Sequence, residues 1–103
     1  PRFTETMDCL ILAGGEASPD LVEKTGVTQR ALIPFDGAPM ICRVLDALRG
    51  VDSLENIAVV ADDAVLQTLD DVQKIAAQGR MVDNLLRGLE SLSSDEILVC
   101  TCD

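Results

Sequence analysis

With 103 residues, 48% of them hydrophobic, the chain is one domain at most and can bury a modest core. Its apolar content is aliphatic, with two Phe and no Trp or Tyr, which suits a sheet covered by helices better than an aromatic platform for stacked bases. A net charge of -10 argues against DNA, RNA or an anionic membrane surface as partner, and leaves an anionic small molecule whose charge a metal ion or a few local cations offset.

Residues 1–7 have no periodicity and read as a tail, and Pro1 is no translation start, so a processed or trimmed N-terminus is expected. Cys9 to Ala13 is continuously apolar, as in a strand buried on both faces of a parallel sheet, and Gly14-Gly15 ends it. The segment Glu16–Arg30 is a long loop with its own helix signals: Ser18 as N-cap, Pro19 at the first helical position, Gly26 just past the end. Ala31 to Phe35 reads as a short extended stretch closed by the turn dipeptide Asp36-Gly37.

Pro39 opens the clearest helix, in which Met40, Ile41, Val44, Leu45 and Leu48 form one apolar face and Gly50 is the stop. Ile57 to Ala61 is a second buried strand. Asp62 or Asp63 then caps a short helix from Ala64 to Leu69, and Val72 to Ala76 reads as a brief edge strand. Helical spacing returns from Met81 to Leu92, with Met81, Val82, Leu85, Leu86 and Leu89 on one face. Ser93-Ser94-Asp95 turns the chain into a final strand, Ile97 to Cys102.

Strand, crossover, strand, crossover, strand is the pattern of an open α/β layer with right-handed connections, in which ligands bind at the carboxyl ends of the strands where strand order reverses. If the last strand lies beside the first, Gly14-Gly15 and Asp103 line one crevice. The chain stops at Asp103 where such a sheet would continue, as in a domain cut short. Cys9, Cys42, Cys100 and Cys102 read as buried reduced thiols, since there is no His and no CxxC pair to support zinc. With no signal-type segment and no apolar run long enough to span a bilayer, the expected location is the cytoplasm.

Two glycines after a buried strand let a backbone approach a ligand closely, or simply end the strand. Neither GxGxxG nor GxxxxGK[ST] is present, so an NAD-binding oxidoreductase loses its main support although Asp62 sits where a ribose-binding acid would. Gly88 interrupts an amphipathic helix, where Gly costs about 1 kcal/mol against Ala, so it serves either tight helix–sheet packing or close approach of a ligand. Asn84, one turn earlier on the same face, carries an amide able to hydrogen-bond a base, or is merely solvated. Asp103 after a buried strand needs a partner, water or a cation, or else caps a turn beyond it. The pairs Asp62-Asp63 and Asp70-Asp71 read as caps and turn residues.

In order, Leu12-Ala13-Gly14-Gly15, then Arg30-Ala31-Leu32-Ile33-Pro34-Phe35-Asp36-Gly37-Ala38-Pro39-Met40-Ile41 and the Val44–Leu48 helix, resemble the N-terminal half of the nucleotidyltransferase superfamily. Its members include sugar-phosphate nucleotidyltransferases, molybdenum-cofactor guanylyltransferases and methylerythritol-phosphate cytidylyltransferases. Gly79-Arg80 and Asn84 to Glu90 resemble the cytidylyltransferase segment G-x-x-R-x-x-S-V-x-x-G-L, with Asn84 at the family's serine, and Leu98 to Asp103 resembles the strand that delivers a metal-binding aspartate. The resemblance implies an α/β fold: an open three-layer sheet of mainly parallel strands with flanking helices, Rossmann-like and of the nucleotide-diphospho-sugar transferase type. Residues 1–103 would be its truncated N-terminal nucleotide-binding part.

It further implies magnesium-dependent transfer of a nucleoside monophosphate from a nucleoside triphosphate to a phosphorylated small-molecule acceptor, with release of pyrophosphate. Leu12, Ala13, Gly14, Gly15, Asn84 and Gly88 would hold the nucleotide, Arg30 would stabilise charge at the phosphates where the family usually has lysine, and Asp103 would bind Mg2+. One departure is Glu16, in a loop where the family often places Gly and Arg for the triphosphate. Glu16 favours the alternative of a catalytically degenerate nucleotide-binding or regulatory domain. An open edge on the last strand invites pairing with a second copy, hence a homodimer.

Overall fold

A computed structural model describes residues 7–92 and 96–101. Chain order is β1 (Met7–Leu12), α1 (Pro19–Thr25), a single 3-10 turn at Arg30–Leu32, β2 (Pro34–Phe35), β3 (Ala38–Pro39), α2 (Met40–Arg49), β4 (Leu54–Ala61), α3 (Asp63–Leu66), β5 (Gln73–Ala76), α4 (Met81–Glu90) and β6 (Ile97–Thr101).

The four longer strands form one parallel sheet in the order β5-β4-β1-β6. β1 lies at its centre, with Leu10 opposite Ala58 on one side and Val99 on the other. Its buried apolar run follows from that position, because a central strand with helices over both faces has no solvent side to make polar. Side-chain alternation then divides the core. Cys9, Ile11 and Ala13 face Ile41 and Leu45 of α2, with Val59, Ala61, Val65 and Leu66, while Leu10, Ala58 and Val60 face Leu85 and Leu89 of α4. The molecule is thus the expected three-layer α/β arrangement, with α2 and α3 over one face and α4 over the other.

The α1 signals act as written. Ser18 caps the helix by accepting from the Leu21 amide, and Gly26 takes the left-handed conformation at φ 74 while its amide donates to the Val22 carbonyl. The stretch expected to be extended over 31–35 differs: it is a 3-10 turn followed by a two-strand hairpin, β2 with β3. Asp36 (φ 54) and Gly37 (φ 87) are both left-handed, the signature of a two-residue hairpin loop. Arg43 of α2 donates from Nε to the Phe35 carbonyl (3.1 Å) and from Nη2 to the Asp36 carbonyl, pinning the hairpin to the helix.

Other boundaries move as well: β1 begins at Met7, inside the stretch read as a tail, and ends at Leu12, and β5 begins at Gln73. β4 begins at Leu54, three residues before its apolar run; α3 stops at Leu66; and α4 ends at Glu90. The apolar face of α4 also needs correction. Leu85, Gly88 and Leu89 pack toward the sheet, whereas Met81, Val82 and Leu86 are exposed. Cys9 is buried, Cys42 and Cys100 are half-buried, and all three are free thiols. Cys102, the 93–95 turn and Asp103 lie outside the described residues. Among the described residues no helix is long and apolar enough to cross a membrane.

Asp8, fully buried at the start of β1, is the exception to an apolar core. Its Oδ1 accepts from the Asn56 amide (3.2 Å) and from Asn56 Nδ2 (3.1 Å), which offsets the cost of removing a carboxylate from water. It sits at the amino end of the sheet, opposite the end where the strands release their loops.

Candidate nucleotide site

At the carboxyl ends of β1 and β4 the chain leaves a recess of about 100 Å³ lined by Leu12, Gly14, Val60, Gly79, Met81 and Asn84. It lies next to the point where β4 and β6 flank β1 on opposite sides, the place where an open α/β sheet reverses strand order. The volume is below the 300–1,000 Å³ or so typical of whole small-molecule sites, so the recess fits one end of a ligand.

Its floor is made by strand ends. The Ala13 amide donates to the Val60 carbonyl (2.8 Å) and the Ala77 amide to the Ala61 carbonyl (2.9 Å), carrying strand pairing to the edge of the recess. Beyond it the Gly14 and Gly15 amides have no acceptor among the described residues, so both N–H groups are donors for a ligand. A Cβ at Gly14 would stand 3.2 Å from Cβ of Ala77, whereas one at Gly15 would meet nothing within 4 Å. Gly14 therefore has a packing reason to be glycine, and Gly15 has none among the described residues.

The glycine loop is held from its far side. The Arg30 amide donates to the Gly15 carbonyl (3.0 Å), Arg30 Nη2 to the Glu16 carbonyl (3.2 Å) and the Ala17 amide to the Thr28 carbonyl (2.8 Å). Glu16 bridges to Gln29, so α1 is an excursion closed at its base, with the Arg30 guanidinium against the backbone that follows the glycines. The Glu16 side chain is exposed.

The opposite wall comes from the β5–α4 connection. Gly79 adopts φ 67, a left-handed conformation that favours glycine, and a Cβ there would stand 2.9 Å from Asp83 Oδ2, an exposed carboxylate oxygen that could move aside. Asp83 closes the start of α4 by accepting from the Arg80 amide at 3.1 Å. Asn84 lies one residue later, its Oδ1 accepting from the Gln78 amide (2.8 Å) and from Arg87 Nη2 (2.8 Å).

Of the residues singled out in the sequence, the recess brings together Leu12, Gly14 and Asn84, with Gly15 and Arg30 joined to it through the loop. Ala13 turns its side chain the other way, into the core beneath α2. Gly88 is buried a turn deeper in α4, where a Cβ would stand 2.5 Å from Cδ1 of Leu10, so the structure places it in helix–sheet packing. Asp103 lies outside the described residues. Val60, Met81 and Arg87 were not singled out for the site. Val60 reads as plain strand core and Met81 as helix face, and only Gly79, a lone glycine between a strand and a helix, carried a signal.

Comparison with known proteins gives the following. A model of the MobA-like NTP transferase domain family matches residues 9–103. A hypothetical transferase from Thermus thermophilus superposes with a TM-score of 0.76 at 30% identity, covering 95% of this chain and 40% of that one. A nucleotidyl transferase from Methanothermobacter thermautotrophicus superposes at 0.71 with 22% identity, covering 95% and 50%, and shares the fold. The chain thus spans half or less of the length of these structures. No curated protein matches.

Proposed function

Since the chain belongs to the MobA-like NTP transferase domain family, we propose that it is the nucleotide-holding part of an enzyme that transfers a nucleoside monophosphate to a phosphorylated small molecule. An acceptor phosphate oxygen forms a bond to the α-phosphorus of a nucleoside triphosphate, the bond from that phosphorus to the bridging oxygen breaks, and pyrophosphate leaves with the electron pair. The observation that carries this reading is the recess itself: Gly14 and the Asn84 side-chain amide line it at the carboxyl ends of β1 and β4, Gly15 follows directly, and among the described residues neither glycine amide has an acceptor.

Leu12, Gly14 and Asn84 line the space for base and sugar, and Ala13 supports it from the core. Gly15 offers its amide where no side chain among the described residues intrudes, so a phosphate or ribose can approach the backbone. Arg30 is tied to that backbone and travels with it, which keeps a cation beside charge that develops as pyrophosphate leaves. Gly88 contributes by seating α4 on β1, which fixes where Asn84 stands.

Among the described residues no group of three or more His, Cys, Asp or Glu could hold a metal ion. Magnesium asks for less, because it keeps most of its waters and takes one or two carboxylates together with substrate phosphates. Asp103 fits that donor set, and the ion it would hold supplies neutralisation of phosphate charge. We place the protein in the cytoplasm, with no nucleic-acid or membrane partner.

A second reading, a nucleotide-binding domain without transfer activity, draws on Glu16, a carboxylate directly after the glycines. Assaying pyrophosphate release by the full-length protein with a panel of triphosphates and phosphorylated acceptors separates the two. Release that depends on an acceptor is expected, and binding without release by any acceptor favours the second reading. Asp103→Asn is expected to lower turnover by at least about a hundredfold, the scale of losing a preorganised electrostatic contact. Unchanged turnover removes Asp103 from the metal site.

A further inference from the structure

Within the nucleotide reading above, we infer that Arg87 is a positioning residue that locks the Asn84 amide, so that Asn84 offers the recess hydrogen-bond donors only and selects a base bearing a carbonyl there.

The amide orientation follows from chemistry. Oδ1 of Asn84 faces the Gln78 backbone N–H and the Arg87 guanidinium, each at 2.8 Å. Neither group can accept a hydrogen bond, so the atom between them must be the carbonyl oxygen; a flipped amide would set an NH2 group against two donors. Arg87 is itself fixed, donating from Nη2 to the Ala76 carbonyl (2.6 Å) and from Nη1 to Gln78 Oε1 (3.3 Å). The guanidinium thereby ties α4 to the end of β5 and to the loop that carries Gly79.

What Asn84 keeps is Nδ2, a two-proton donor bonded to no acceptor among the described residues. The other residues of the lining are Leu12, Gly14, Val60, Gly79 and Met81, so Asn84 supplies the recess with its polar side chain. A donor there favours an exocyclic carbonyl and leaves an exocyclic amino group facing another N–H. The pairs UTP against CTP and ITP against ATP differ in that exchange at position 4 or 6, together with the adjoining ring nitrogen. One neutral hydrogen bond gained is a preference of about three- to tenfold.

The test is calorimetric titration of the full chain with these four triphosphates. Wild type is expected to bind the carbonyl member of at least one pair about three- to tenfold more tightly. Asn84→Asp keeps acceptors toward Gln78 and Arg87 but turns an acceptor to the recess, and should abolish or reverse that preference. Arg87→Ala leaves the Gln78 N–H as the one donor of the pair still holding Asn84 Oδ1, so the amide is more loosely held and the ratio should move toward unity while nucleotide still binds, with Arg87→Lys restoring part of it; thermal melts check that each variant is folded. A wild type with no carbonyl preference, or a preference unchanged in either Asn84→Asp or Arg87→Ala, overturns the inference while leaving the nucleotide site standing. No binding of any triphosphate overturns the nucleotide reading and this inference with it.

Discussion

A methyl group at residue 88 would sit 2.5 Å from Cδ1 and 2.7 Å from Cδ2 of Leu10, a side chain with no exposed surface to retreat into. Overpacking of this kind costs about 1–3 kcal/mol, against which the helix gains about 1 kcal/mol from losing a glycine. Gly88→Ala is therefore expected to lower stability by up to about 2 kcal/mol. Leu10→Ala alone costs about 2–5 kcal/mol. The double variant should be less destabilised than the sum, because the new methyl enters the space the leucine leaves; strictly additive denaturation midpoints would show that the two side chains do not compete. Gly15→Ala is the contrast. With nothing within 4 Å and no left-handed φ, it should hold or raise stability by up to about 1 kcal/mol, so any loss of nucleotide affinity in that variant reports the ligand's approach. The sequence marked both glycines as unusual and could not sort them. An uncomfortable glycine is visible from its own helix or strand, but the partner that makes it necessary is supplied by residues far along the chain.

Elements were legible where one physical cause dominated. α2 kept its face because Ile41 and Leu45 are buried against the sheet as their spacing demands. α4 has as regular a spacing, yet only Leu85, Gly88 and Leu89 pack: Met81 of the first turn lines the recess instead of the core, and Leu86 falls on the solvent side. The hairpin at Asp36-Gly37 hid behind a proline-rich run whose turn was recognised but whose pairing partner was not. The β1–β6 seam carries a consequence for pH. Burial, then the hydrogen-bonded Cys100 thiol beside it, push the Cys9 thiol from its ordinary 9.0 up to about 12. Above pH 9 the unfolded chain ionises this thiol while the folded chain keeps it protonated, so the unfolded state binds fewer protons. The thiol's contribution to stability is complete below pH 9 and is lost as pH rises toward about 12. Urea midpoints measured across that window should fall more steeply for wild type than for Cys9→Ala, and parallel descents would place the alkaline loss elsewhere.

At the scale of the molecule, the parallel sheet with helices on both faces was deducible because a chain of buried strands joined by helices has few ways to cover a sheet, while the order was read only as a condition, the last strand beside the first, which the structure meets. What the pattern left open is the far edge. β6 pairs with β1 on one side, and among the described residues nothing pairs with the other, though Leu98 and Val99 are 41% and 44% exposed. An apolar strand without a neighbour is a template for another strand, and no lysine or proline interrupts Ile97–Thr101 to discourage it. Opposing this is the charge of -10 on each copy, whose repulsion acts over roughly 10 Å at 0.1 M salt and about 3 Å at 1 M. The 103-residue chain is therefore expected to sediment closer to a monomer in low salt and to associate as salt is raised. Val99→Lys, which sets a charge on the open edge, should hold it monomeric at both. Since screening weakens the repulsion while apolar contact persists in salt, association that decreased with ionic strength would mean that attraction between charges, and not the uncovered face of β6, brings the copies together.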